Sequence, residues 1–109
     1  MSLYGEFLLE RENKQIIESD TGFATYYFVE DAVYLENIFV TKESRRNGET
    51  FVLAGKIIEI AKAKGCTKMY GTVCPTAPQA SMSLTQLLNH GFVLDSAANN
   101  IVVVRKELV

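Results

Sequence analysis

Residues 34–73 read YLENIFVTKESRRNGETFVLAGKIIEIAKAKGCTKMYGTV, and the succession of patterns within them decides the fold. Val33–Val40 is aromatic and β-branched, which suits a pleated strand. Simple alternation puts Val33, Leu35, Asn37 and Phe39 on one face, and Tyr34, Glu36, Ile38 and Val40 on the other. Thr41–Thr50 is polar and charged and has no apolar period. From Thr50 onward Leu53, Ala54, Ile57, Ile58 and Ala61 recur at three- and four-residue spacing. Lys56, Glu59, Lys62 and Lys64 take the opposite side, so the spacing predicts an amphipathic helix closed by Gly65. Cys66–Cys74 then reads as a strand stopped by Pro75. Strand, helix, strand is a βαβ unit, whose crossover should be parallel and right-handed.

Outward from this unit the patterns remain those of a mixed sheet. Leu3, Phe7 and Leu8 predict a short amphipathic helix over 2–11, weakened by Gly5. Lys14–Ser19 is open to strand or helix; the turn formers Asp20-Thr21-Gly22 behind it favour strand. Phe23–Val29 is a second strand, and Glu30-Asp31 connects it tightly to the third. Beyond Pro75–Pro78, Ala80–His90 is helical, with Leu84, Leu87 and Leu88 as its buried side. Phe92–Asp95 and Ile101–Lys106 are strands joined through a loop at 96–100. The expected order is α-βββ-α-β-α-ββ, an α/β chain built on a mixed sheet and forming one domain over 1–109.

Composition removes several classes of function. Hydrophobic residues make up 48% and charged residues 22%, the balance of a folded globular chain. Eleven basic against thirteen acidic residues leave a net charge of −2, which argues against counterion-driven binding to nucleic acid. Two cysteines and one histidine are too few for a dedicated metal site. No apolar run approaches the roughly 20 residues that span a bilayer, and MSLYGEFLLERENK lacks the head of a signal peptide. A cytoplasmic setting without membrane contact is the expectation.

Chemistry concentrates in Val40–Thr50, between a strand and a helix start. Free amides and the positive end of the helix dipole meet there, and a phosphate can accept several of those hydrogen bonds at once. Gly48 lets the backbone approach a bulky anion, and Arg45 and Arg46 supply cationic donors. The same composition also describes an ordinary solvated helix cap. Neither a Walker loop nor a dinucleotide fingerprint is present.

These residues resemble the GNAT superfamily of N-acetyltransferases. The resemblance rests on the strand ending at Val40, on Arg45-Arg46-Asn47-Gly48-Glu49-Thr50 opening the helix, and on Gly91-Phe92 after LLNH. It covers about residues 22–92, and the small size is similar to that of compact phage-encoded members. What it implies is a GNAT-like fold with a splayed parallel strand pair. It further implies acetyl-CoA as co-substrate and no metal. Arg45, Arg46, Asn47, Gly48, Glu49 and Thr50 would hold the pyrophosphate, and Ile38, Phe39 and Val40 would align the pantetheine. The family's strand bulge would fall at residues 36–38, before a V-shaped slot formed with Lys68–Val73.

Acetyl transfer to a primary amine by direct attack needs a base for the nucleophile and a donor for the oxyanion. Glu36 is the candidate catalytic base by the resemblance, although an exposed strand carboxylate is an equally ordinary residue. Leu87 stands where the family often has a tyrosine acid, Ala80 or Ser81 where it has an asparagine, and Thr50 where it has a small residue. The N-terminal part is shortened. These departures imply an alternative, a catalytically inactive GNAT-like module that binds acetyl-CoA or other proteins. His90 is read as a helix C-terminal cap, and Cys74 as an inert small hydrophobe at the strand end. The acceptor is unknown, and exposed sheet edges leave a homodimer among the expectations.

Overall fold

The computed structural model describes residues 2–44, 48–73, 76 and 80–108, the side chains at 80–83 and 86 excepted. Its elements run α1 (Leu3–Glu12), β1 (Gln15–Glu18), β2 (Gly22–Val29), β3 (Ala32–Val40), a single 3-10 turn (Lys42–Ser44), α2 (Glu49–Ala63), β4 (Lys68–Val73), α3 (Ala80–Asn89), β5 (Val93–Ala98) and β6 (Ile101–Glu107). The six strands form one sheet in the order β1-β2-β3-β4-β6-β5. Every neighbouring pair is antiparallel except β3 and β4, which are parallel and joined through α2. The mixed α/β order expected from the patterns is therefore the observed one. No helix among the described residues is long and apolar enough to cross a membrane.

Local chemistry explains the element ends. The Ser2 hydroxyl caps α1 by accepting from the Gly5 amide at 3.0 Å. Asn13 ends that helix in the left-handed conformation (φ 56°), and the Lys14 amide returns to the Leu8 carbonyl. Two boundaries differ from expectation by two residues or more. Cys66 and Thr67 precede β4, because the Cys66 amide closes α2 onto the Ala61 carbonyl. The loop at 96–100 shrinks to Asn99-Asn100, both left-handed (φ 51° and 62°), and β5 runs on to Ala98. Asparagine tolerates positive φ, so this pair makes the two-residue hairpin turn whose twist matches the strands.

One face of the sheet carries the core. Ala24, Tyr26, Val33, Leu35 and Val40 from the first strands meet Leu53, Ile57 and Ala61 of α2, with Leu84 and Leu87 of α3 packed against the same cluster. Both connecting helices therefore cover the same face. Leu88 is exposed, so the buried side of α3 is narrower than its leucines suggest.

The face assignment of β3 is corrected by a bulge. The β2–β3 register pairs Thr25 with Asn37 but Tyr26 with Leu35, which leaves Glu36 as an extra residue on β3. The bulge thus falls within the expected residues 36–38. An extra residue shifts every later side chain by one face. Ile38 and Val40 consequently join Val33 and Leu35 in the core, while Phe39 turns to the second face beside Phe23. Strict alternation put Ile38 and Val40 with Tyr34 because it cannot anticipate that insertion.

Gly22 opens β2 opposite Val40. A Cβ there would collide with the Phe39 carbonyl, a backbone atom that cannot step aside alone. Gly22→Ala is expected to cost about 1–3 kcal/mol, as overpacking of a fitted site does. A melting temperature within one degree of the parent would contradict this.

Candidate functional site

The site lies where β3 and β4 part. Their ladder runs from Ala32 opposite Lys68 to Leu35 opposite Gly71 and ends there. Both strands continue, β3 to Val40 and β4 to Val73. Glu36, the bulged residue, stands at the point of separation. A bulge bends its strand and increases the local twist, which is the physical cause of the divergence.

The start of α2 follows β3 through the polar loop. Gly48 is its N-cap and sits in the left-handed region (φ 78°), with no side-chain cap. Its carbonyl takes the Phe51 and Val52 amides, both at 3.1 Å. The amides of Glu49 and Thr50 donate to no described residue, and helix geometry gives them no acceptor within the helix. Open donors at Glu49 and Thr50 and the positive end of a helix dipole therefore coincide. Arg45, Arg46 and Asn47 lie outside the described residues. Ile38, Phe39 and Val40 occupy the end of β3 beyond the last rung to β4.

On the helical side of the parting, Leu87 of α3 approaches Gly71; its Cδ1 is 3.9 Å from where a glycine Cβ would stand. That position offers only aliphatic surface. The His90 ring stacks on Phe51 in the first turn of α2, so His90 ties the end of α3 to the loop side of the site. Cys74 lies outside the described residues, and the side chains of Ala80 and Ser81 are likewise undescribed.

The opposite face carries the polar groups. Tyr27, Tyr34 and Tyr70 stand in register across β2, β3 and β4, with ring centroids 5.3 and 4.9 Å apart and nearly parallel planes. Arg105 of β6 continues the row opposite Tyr70. It pairs with Asp95 at 2.8 Å, and its Nε lies 3.2 Å from Glu107, off the hydrogen-bond direction. Tyr34 and Tyr70 occupy the last rung but one before the parting. Burial raises the Tyr34 phenol above its ordinary range, and the neighbouring tyrosines, Glu30 and Asp95 add to this, so it stays neutral.

Glu36 and the following Asn37 both turn to this second face, because the bulge lets consecutive residues share one side. The Glu36 side chain is 32% exposed and meets two partners. Lys14 Nζ reaches its Oε2 at 2.6 Å, and Asn37 Nδ2 donates to its Oε1 at 3.2 Å. Asn37 Nδ2 also donates to the hydroxyl of Thr25 at 3.3 Å, a side chain only 1% exposed. The Lys14 ammonium is held above the usual lysine range, chiefly by its hydrogen bond to Glu36. Sequence reasoning singled out Glu36 and passed over its partners Lys14 and Asn37. Lys14 carries no local signal, since β2 lies between it and Glu36; Asn37 was sorted to the wrong face by the unrecognised bulge. No cluster of three metal-ligating side chains occurs among the described residues.

A mixed sheet whose central parallel pair opens before a helix N-terminus is the arrangement that the resemblance implied, and comparison with known proteins agrees. The profile of the Acetyltransferase (GNAT) family matches residues 5–92, and the chain belongs to that family. No curated protein matches. Among solved structures, the chain is similar to the PaiA N-acetyltransferase of Thermoplasma acidophilum in complex with coenzyme A. That likeness has a TM-score of 0.78 at 18% identity and covers 96% of this chain and 69% of the other. A GNAT family acetyltransferase of Elizabethkingia anophelis with acetyl-CoA bound gives a TM-score of 0.72 at 14% identity, over 97% and 85% of the two chains. An IAA acetyltransferase of Bacillus cereus gives 0.71 at 15% identity, over 94% and 90%. At such identities the likeness establishes the fold alone.

Proposed function

We propose that this chain transfers acetyl from acetyl-CoA to a primary amine by direct attack. The observation that carries the reading is the parting of β3 from β4 beyond Leu35 and Gly71, in front of the open amides at the start of α2. Glu49 and Thr50, preceded by Gly48 and by Arg45, Arg46 and Asn47, hold the pyrophosphate by main-chain donation and cationic contact. Ile38, Phe39 and Val40 align the pantetheine where β3 has left its neighbour. Coenzyme A in one neighbouring structure and acetyl-CoA in another support this ligand.

The acceptor approaches from the tyrosine face, where Glu36 accepts a proton from the ammonium, directly or through water. Each carboxylate oxygen can accept two hydrogen bonds, so Lys14 and Asn37 leave room for a third partner. The amine attacks the thioester carbonyl, the tetrahedral intermediate collapses with coenzyme A leaving as thiolate, and the second excess proton of the attacking nitrogen passes to that thiolate or to water. The aliphatic surroundings of Leu87 favour a second reading, a module that binds the cofactor without turnover. The protein is expected to work in the cytoplasm, and a second copy would cover the exposed edge strands β1 and β5.

Titration calorimetry with coenzyme A tests the binding half. Gly48→Val puts a β-branched residue at φ 78° and is expected to weaken binding at least roughly tenfold, since each lost charge-assisted hydrogen bond is worth about 1.5–3 kcal/mol. Arg46→Ala is expected to weaken it in the same direction. No heat from coenzyme A at millimolar concentration would end both readings. Binding without thiol release across a panel of amines would select the second.

A further inference from the structure

We propose that Lys14 and Asn37 are positioning residues for Glu36, and that α1 serves the acceptor side by delivering Lys14. This rests on the reading of Glu36 as the base.

The route from sequence to geometry is short. Asn13 ends α1 in the left-handed conformation, and the Lys14 amide is tied back to the Leu8 carbonyl at 3.1 Å. Leu8 is buried, so the turn that presents Lys14 is anchored by packing rather than by the exposed side of the helix. From there the Lys14 side chain crosses β2 and places Nζ 2.6 Å from Glu36 Oε2. Glu12, at the end of α1, lies 3.5 Å from the same nitrogen. On the other side Asn37 bridges Glu36 to the buried Thr25 hydroxyl. The carboxylate is therefore held from two directions by groups that are themselves anchored. Tyr27, Tyr34 and Tyr70 stand on the same face, followed by Arg105 with Asp95.

Magnitude decides what such a pair is for. Ion pairs reachable by solvent contribute little to stability, typically below about 1 kcal/mol. A bulged strand residue, in contrast, has lost the ladder that would fix its backbone, and catalysis is sensitive to displacement of a reacting group by an ångström. Holding Glu36 at the mouth of the parting is the larger consequence of the pair. A fall in kcat reads out position.

The test uses the full chain with acetyl-CoA and an amine panel, following thiol release. Lys14→Met is expected to lower kcat roughly tenfold with KM for acetyl-CoA and amine within about twofold, the signature of a misplaced group rather than lost binding. Lys14→Arg is expected to restore most of the rate. An unchanged kcat in Lys14→Met, or an equal loss in Lys14→Arg, overturns the role of Lys14. A second measurement needs no turnover. In an NMR titration, the Lys14 midpoint is expected to fall toward the ordinary lysine value in Glu36→Gln; an unmoved midpoint overturns the pairing. Absence of turnover with every amine overturns the enzyme reading, and with it this role, whatever the titration shows.

Discussion

Glu36→Gln is expected to lower kcat about a hundredfold or more, within the range that a positioned general base contributes. The amide keeps the size and the hydrogen-bonding reach of the side chain but cannot take the proton of an ammonium nucleophile. With Oε1 kept on Asn37, the amide nitrogen takes the place of Oε2 and faces the Lys14 ammonium donor to donor, so the Lys14 hydrogen bond is lost. On the proposed reading coenzyme A binds at the loop side of the site, away from Glu36, so its affinity should stay within about twofold in this variant. Thiol release with saturating amine measures the first quantity and calorimetry the second. A variant that turns over at the parental rate would exclude Glu36 from the reaction and leave the tyrosine row as the place to look for a base.

The largest stability effect is expected at Leu53. It lies on the core side of α2 with 0% exposure, among Val33, Leu35 and Ile57. Leu53→Ala removes methyl groups from a filled site and leaves a cavity that fixed neighbours cannot fully close, at a cost of about 2–5 kcal/mol. For a chain of this length that corresponds to a fall in melting temperature of very roughly 10–30 °C. The adjacent Val52 is 49% exposed, so Val52→Ala is expected to stay within about 0.5 kcal/mol of the parent. Equal destabilisation of the two variants in thermal and urea melts would contradict the packing described. Because Leu53 belongs to the first turns of α2, its loss also loosens the amides of Glu49 and Thr50, and coenzyme A affinity should fall with stability.

The two predictions draw on different parts of the chain, and these differ in how legible they are from sequence. Leu53, Ile57 and Ala61 announce themselves through a period that belongs to one helix. Gly48 and the two arginines before it lie beside each other in the chain, at a strand-to-helix junction whose electrostatics follow from backbone geometry. The resemblance then attached a cofactor to that junction. Glu36 was likewise reachable, as the carboxylate on the strand before the loop.

The tyrosine face was not. Tyr27, Tyr34 and Tyr70 become one row only after β2, β3 and β4 are aligned, and the alignment of β3 with β4 spans the whole of α2. The extra residue at Glu36 shows only in the pairing of β2 with β3, because nothing in ENIF marks which residue the partner strand skips. The same holds at Asp95, where the β5–β6 register also slips; there the compact Asn99-Asn100 turn was read as a longer loop.

Sequence alone therefore determined whatever depends on neighbours within a helical turn or a short loop: the strand–helix–strand unit, the core side of α2 and the donor-rich opening of that helix. Tertiary structure decided the bulge, the consequent exchange of faces by Ile38, Val40 and Phe39, and the grip of Lys14 and Asn37 on Glu36. The reason is that side-chain direction in a strand is set by its partner's register. A single unpaired residue reverses that direction for everything that follows.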